Sequence, residues 1–319
     1  MWACLGLGLR SVKQLHVKLR ALARSVAVFA AVLATGTASA NGWTTKKIDR
    51  LPDAVERPLA PEGLPDGEVA LLEGADIFAA WYTKPTKRYA HGILGDAIEA
   101  GELTVEIDTG ETLTYTLPDN QVFEDRTPRL VDLDGFGQTE IITILSDINE
   151  GGSIAVFGVR KGKLELVAQT PYIGHSNRWL NIAGIDDFDG DGKTQIAAVW
   201  TPHIGGTLKY WTWSKGKLSL SGEARGFSNH FIGSREQDLS TVNDFNGNGV
   251  SDLALPSADR KSVRIMTFRG SARGKKTLEE FARISLPARV DKAMSSRFED
   301  GKIIITVGLE DGSVHEISH

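Results

Sequence analysis

The chain has 319 residues, with 36 Lys and Arg against 41 Asp and Glu, 34 glycines and one cysteine. The first 40 residues hold five of the basic groups (Arg10, Lys13, Lys18, Arg20, Arg24), no acidic group and the one thiol, Cys4, so the remaining 279 carry 31 basic and 41 acidic groups and no cysteine. That excludes a disulfide scaffold, a thiolate zinc or iron–sulfur site and a cysteine enzyme, and an acidic balance without a basic run argues against nucleic acid or anionic lipid as partner.

Basic residues through Arg24 precede the uncharged run Ser25–Thr35, and Ala38 and Ala40 place small residues at the −3 and −1 positions of a signal-peptidase cut. The apolar run is too short for a transmembrane anchor, which needs roughly 20 residues. Residues 1–40 are expected to be a cleavable secretory signal, and the mature protein to lie in the periplasm or outside the cell without a membrane span. Residues 41–67 follow as an arm: a strand near Lys46–Leu51, then a connector whose residues 52–67 contain four prolines.

From residue 68 the pattern is short apolar-alternating runs between Gly-rich turns. Glu68–Leu72, Ile77–Tyr82, Leu103–Ile107 and Thr112–Thr116 form one group of four. Three further groups are marked by a recurring segment: Asp132-Leu-Asp134-Gly-Phe-Gly-Gln-Thr-Glu140, Asp187-Phe-Asp189-Gly-Asp191-Gly-Lys-Thr-Gln195 and Asp244-Phe-Asn246-Gly-Asn248-Gly-Val-Ser-Asp252, whose first residues are 55 and 57 apart. Each is preceded by one strand-like run and followed by three, as in Leu180–Ile185, Ile196–Trp200, Thr207–Trp213 and Leu218–Leu220. Leu278–Arg283 reads as strand or turn, and Arg269–Lys276 as a solvated hairpin loop. Lys302–Val307 and Ser313–Ile317 begin a last group that lacks an outer strand.

Four-stranded units of this length indicate an all-β protein, a single β-propeller rather than a stacked solenoid. A period of about 56 residues divides 279 into five blades over 68–319. The arm near Lys46–Leu51 is expected to supply the missing outer strand, closing the ring with both chain termini and removing exposed sheet edges.

In the marked segments oxygen-bearing side chains stand at positions 1, 3 and 9, and in the second and third also at 5, with Gly at 4 and 6. Oxygen donors wrapped this way suit a hard cation such as Ca2+. An EF-hand would need a bidentate Glu at position 12, where Thr143, Ala198 and Leu255 stand. The candidate ligands are Asp132, Asp134 and Glu140; Asp187, Asp189, Asp191 and Gln195; and Asp244, Asn246, Asn248 and Asp252.

These segments resemble the FG-GAP/VCBS repeat family, whose members include the integrin α-subunit propeller. The resemblance implies a calcium loop joining the first two strands of a blade. The chain departs from the family pattern at Phe136, which removes the position-5 ligand, at Gln195, and at Asn246 and Asn248. The Phe-Gly…Gly-Ala-Pro signature is also missing. Formal charges of −3, −3 and −2 on the three loops predict unequal, weak structural Ca2+ sites, with dissociation constants of about 10⁻⁴–10⁻³ M.

Loops at the opposite ends of the strands (84–91, 123–128, 147–152, 174–179, 201–206 and 227–236) collect His91, His175, His203 and His230 with Arg88, Arg126, Arg178 and Arg235. Arg178 and Arg235 each precede their first loop aspartate by nine residues. Arg88, Arg126, Arg178, Arg235, His175, His203 and His230 are therefore candidates for a polar or anionic ligand site, since Arg binds carboxylate or phosphate bidentately. The competing role for the same side chains is tying inter-blade loops to carbonyls and to neighbouring Glu124, Asp125, Glu236 and Asp238. Clustered histidines also admit a transition metal, and Trp179, Trp200, Trp211 and Trp213 suit either core packing or sugar stacking.

The expected function is an exported, monomeric binding module for a protein, glycan or small polar ligand. The alternatives are a glycoside hydrolase-like enzyme using Glu124, Asp125 and Glu236, or a structural envelope protein. No nucleophile elbow, zincin helix or phosphate loop is present, so an enzyme is the less favoured reading.

Overall fold

The computed structural model describes residues 42–52, 57–60, 62–270 and 276–319. The secretory signal expected at 1–40, part of the Pro-rich connector and the centre of the 269–276 loop lie outside the described residues. Every assigned element is a strand, and no described helix is long and apolar enough to cross a membrane.

The strands assemble into antiparallel meanders. β2 (Ala70–Leu71), β3 (Ile77–Thr86), β4 (Glu99–Ile107) and β5 (Thr112–Thr116) pair in sequence, as do β7 (Arg129–Val131), β8 (Glu140–Asp147), β9 (Gly151–Arg160) and β10 (Lys163–Gln169). A short strand, β6 (Gln121–Phe123), bonds both β4 and β8 and fuses these meanders into one nine-stranded sheet. Two separate four-stranded sheets follow. One is β11 (Leu180–Asp186), β12 (Gln195–Trp200), β13 (Thr207–Ser214) and β14 (Lys217–Arg225); the other is β15 (Thr241–Asn243), β16 (Asp252–Pro256), β17 (Ser262–Gly270) and β18 (Lys276–Ser285).

The last sheet is completed from the far end of the chain. β19 (Ser295–Glu299), β20 (Lys302–Gly308) and β21 (Val314–Ser318) are joined by β1 (Thr44–Ile48), which pairs with β21 from Thr44↔Ser318 to Ile48↔Val314. The strand anticipated near Lys46–Leu51 thus begins two residues earlier. Trp43, 1% exposed, anchors it in the core.

Alternation along the strands sends apolar side chains to both faces of the inner sheets. On β12, Ile196, Ala198 and Trp200 face β8 and β9, while Ala197 and Val199 face β16 and β17. Four apolar clusters lie between successive four-stranded units, so the second, third and fourth units are buried on both faces. Such continuous burial explains why their strands carry near-unbroken apolar runs. The other faces of the first and last units carry polar pairs: Thr83 Oγ1 meets Thr104 Oγ1 at 2.8 Å, and Arg297 donates to Thr306 Oγ1 and Glu316.

Four tryptophans that sugar stacking could have used, Trp179, Trp200, Trp211 and Trp213, are 2–8% exposed within one of these clusters. Loop 87–98 leaves the first unit to insert Ile93 and Leu94 into the cluster between the second and third, and Gly233 N–H donates to Ile93 O.

Candidate functional site

The three aspartate loops join the first and second strands of their units and share one internal scheme. Asp132 accepts from the amides of Gly135 and Gly137, Asp187 from Gly190, Asp191 and Gly192, and Asp244 from Asn248 and Gly249. The position-9 side chains turn inward and are fully buried. Glu140 accepts from Leu133 N (3.1 Å) and Arg160, Gln195 accepts from Phe188 N (2.6 Å), and Asp252 accepts from Asn246 N (3.1 Å) and Asn246 Nδ2. Burial raises the Glu140 pKa, countered by Arg160, and raises that of Asp252 to about 6.

Their outward sides differ. Asp187, Asp189 and Asp191 bring three carboxylate oxygens within 4.8 Å of one another, the only such acidic triad among the described residues. Lys193 Nζ bonds Asp191 at 2.5 Å and Lys276 bonds the Asp189 carbonyl, so two ammonium groups stand beside the triad. Burial, and then the Asp191 charge, raise the Asp189 pKa. In the first loop position 5 is Phe136, 86% exposed and without an oxygen to offer. In the third, Asn246 spends its amide on Asp252 and Thr267 and its Oδ1 on Asn248 N. Three converging carboxylates fit a hard cation; the other two loops are closed by their own hydrogen bonds.

At the opposite strand ends, the seven candidate ligand residues do not form one pocket. Arg88 donates to Gln121 O and pairs with Asp119 at 3.5 Å. Arg126 donates to Asp66 O and Arg235 O, and Arg235 bonds Asp66 (2.8 Å) and Asp96 (3.2 Å). These three guanidinium groups hold loops together. Arg178, by contrast, bonds only the neighbouring Asn177 O among the described residues, so its environment differs from that of Arg235 despite equal spacing from the loops. His175 is exposed.

His203 and His230 are joined, Nε2 to Nδ1, at 3.0 Å, and His230 Nε2 lies 2.9 Å from Ser234 O. A carbonyl only accepts, so His230 is protonated on Nε2 and receives the His203 Nε2–H on Nδ1. Trp179 stacks on His203 (6.2 Å, 4°) and tilts against His230 (4.7 Å). Burial first, and then neighbouring cationic groups, lower their pKa values to about 4 for His203 and about 3 for His230. Both are neutral at pH 7. The loops they pin carry two of the most exposed aliphatic side chains, Ile204 (61%) and Ile232 (69%). Thr201 holds φ +49, a region β-branched residues avoid, with its hydroxyl on Ile204 O and its carbonyl accepting from Ile204 and Gly206.

Beneath these loops lies an acidic centre that only Glu124 and Asp125 announced in the sequence. Asp125 accepts from Tyr82, Gln237, Arg129 and the Ile144 amide; Glu124 meets His91 Nδ1 and Ser146 Oγ, each at 2.5 Å. Glu99, 2% exposed, stands directly opposite Glu124 by extension of the Ala100↔Phe123 register. Burial first, then the charges of Glu124 and Asp96, raise the Glu99 pKa to about 10. Glu236 is apart from this group, half-buried, its Oε1 accepting from Asp238 N. A cavity of about 550 Å³ lies among Gly74–Phe78 and Glu106–Gly110 and another of about 260 Å³ beside Asn246 and Phe268. Neither includes Glu124, Asp125 or Glu236. Compared with family models and with curated proteins, the chain matches none.

Proposed function

We propose that the chain is an exported five-bladed propeller of the FG-GAP/VCBS kind, stabilised by Ca2+ at the Asp187 loop, and that it serves as a binding module. In this reading the five four-stranded units are blades, and the ring closes where the polar faces of the first and last units meet. Ala79, Thr104 and Thr306 support that closure: they are 1–4% exposed although they belong to none of the four apolar clusters. Asp187, Asp189 and Asp191 would hold the ion, which supplies cross-linking of the loop and no chemistry.

The observation that carries the binding role is the exposure of Ile204 and Ile232 on loops fixed from below by Trp179, His203 and His230. Arg178 adjoins Trp179 in the chain and has no ion-pair partner among the described residues. A rigid platform offering apolar anchors and a free guanidinium suits a partner surface. Arg88, Arg126 and Arg235 are engaged in holding loops together, so recognition falls to Arg178, His175 and the two isoleucines. A photo-crosslinking residue placed at 204 or 232 in the native cell should give a discrete adduct that is missing from a control position, Leu220. Identical or absent adducts at all three positions would remove this reading. The calcium part fails if chelator leaves the melting temperature of the purified protein unchanged.

A further inference from the structure

Asparagine precedes glycine at 246 and at 248, both in the third aspartate loop, and at 41, outside the described residues. In such a pair no side chain shields the glycine amide nitrogen, which can attack the asparagine side-chain carbonyl carbon and close a five-membered imide. The fold treats the two loop asparagines differently. Asn246 is half-buried, and its side-chain amide donates to Asp252 (2.9 Å) and Thr267 (3.1 Å), so the group that has to leave is tied down. Asn248 is exposed, and its Nδ2 has no hydrogen-bond partner among the described residues. Its Oδ1 accepts from Val250 N at 2.8 Å, a bond that strengthens as negative charge develops on that oxygen during attack. The attacking amide, Gly249 N–H, donates to Asp244 Oδ2 at 2.7 Å, a carboxylate placed to receive its proton. A Cβ on Gly249 would meet no atom within 4 Å, and Asn248 lines the cavity of about 260 Å³, so the turn has free space for the ring and for water.

We propose that Asn248 is a modification site: it deamidates without an enzyme and so acquires the position-5 carboxylate that Asp191 supplies in the second loop. Gly249 N bonds to Asn248 Cγ as its proton passes to Asp244. The Cγ–Nδ2 bond breaks, and the departing amide takes a proton from water and leaves as ammonia; Asp244 returns its proton to the hydroxide so formed. A second water then opens the imide. Cleavage between Gly249 N and Cγ yields aspartate in the ordinary chain. Cleavage of the original peptide bond instead leaves the chain running through Cγ, one carbon longer, which displaces position 5. The ordinary product brings the formal charge of the third loop from −2 to −3, equal to that of the Asp187 loop. That last consequence rests on reading the loops as cation frames, whereas the deamidation does not.

The test stores purified wild-type protein at pH 8 and at pH 6, folded and in guanidinium, and maps its peptides by mass spectrometry for replacement of NH2 by OH. In the folded protein Asn248 should convert at least tenfold faster than Asn246, and faster at pH 8 than at pH 6. In guanidinium the selectivity should vanish, because both residues then precede an unrestrained glycine. The proposal is overturned if Asn248 stays intact in the folded protein while it converts in guanidinium, or if Asn246 and Asn248 convert alike in both. Asn248→Asp supplies the ordinary product directly, and Ca2+ should raise its melting temperature by more than that of wild type. An unchanged calcium response of that variant would overturn the gain of a cation ligand and leave the mapped deamidation standing, so the two readings fail separately.

Discussion

Acidification from pH 7 to pH 4.5 should destabilise the protein through His203 and His230, and replacing His203 by glutamine should relieve a measurable part of that loss. The ordinary histidine pKa, about 6.5, applies to the unfolded chain, whereas the folded values are lowered to about 4 and about 3, chiefly by burial. Above pH 6.5 both states are neutral and the pair is neutral toward stability. Below it the unfolded state takes up protons that the folded state refuses, so stability falls with pH until the folded pKa is reached. Two pH units below 6.5 correspond to about 2.7 kcal/mol per group. Partial exposure of His203 brings its share down to about 2 kcal/mol. Charged neighbours work in the same direction, since His91 and Arg260 both oppose protonation of His203.

Glu99 and Asp252, whose folded pKa values are raised, act oppositely and gain stability as the pH falls. The informative quantity is therefore the difference between wild type and His203→Gln, whose amide can still donate to His230 Nδ1. Guanidinium unfolding at pH 7.0, 6.0, 5.0 and 4.5 should give curves that diverge by about 2 kcal/mol at the acid end. Parallel curves would refute the assignment of a buried neutral pair.

Three other changes probe the frame. Trp43→Ala should cost about 3–5 kcal/mol, read as a lowered guanidinium midpoint, because Trp43 fills the core that holds β1 on the last sheet. Gly206→Ala should cost at least about 3 kcal/mol or prevent folding, since a Cβ there would fall on the Phe227 carbonyl oxygen; soluble expression and a thermal melt report it. Phe136→Asp restores the position-5 carboxylate of the first loop and should add about 1.4 kcal/mol of calcium-dependent stability at 1 mM Ca2+, for a dissociation constant of about 0.1 mM. A chelator-insensitive melt of that variant would count against the loop as a cation frame.

Much of the architecture was legible because its signals are local. The aspartate loops repeat at 55 and 57 residues, the strands between them alternate or run apolar, and the unpaired edge of the last group called for a strand from the N-terminal arm. β6 was not legible: Gln121-Val-Phe123 looks like connector and becomes a strand only by bonding β8 and Ala100. The site was harder still. An arginine in a loop has the same local signature whether it awaits an anion or serves a carbonyl; Arg88 finds Gln121 O, 33 positions onward, and Arg126 finds Asp66 O, 60 positions back. Glu99 opens an ordinary strand, and only the pairing of β4 with β6 sets it against Glu124. His203 and His230, 27 residues apart, likewise reveal their pairing only once the loops are folded.

The aspartate loops show how a cation site and a turn can occupy the same residues and yet be separable. The glycines at positions 4 and 6 hold φ between +67 and +83, conformations that side-chain-bearing residues rarely adopt. The first aspartate collects the amides those turns release, and the ninth side chain closes the loop from inside. Any acceptor serves at the ninth position, which is why Glu140, Gln195 and Asp252 are interchangeable there. None of these bonds involves the outward side chain at position 5, and the three copies differ there in whether they can offer a carboxylate: Phe136, Asp191 and Asn248. The turn is therefore held by the chain in all three copies, while the chemistry a cation needs is concentrated in one. An ion at the Asp187 loop would reinforce a turn already formed, so its removal should lower the melting temperature without changing the fold.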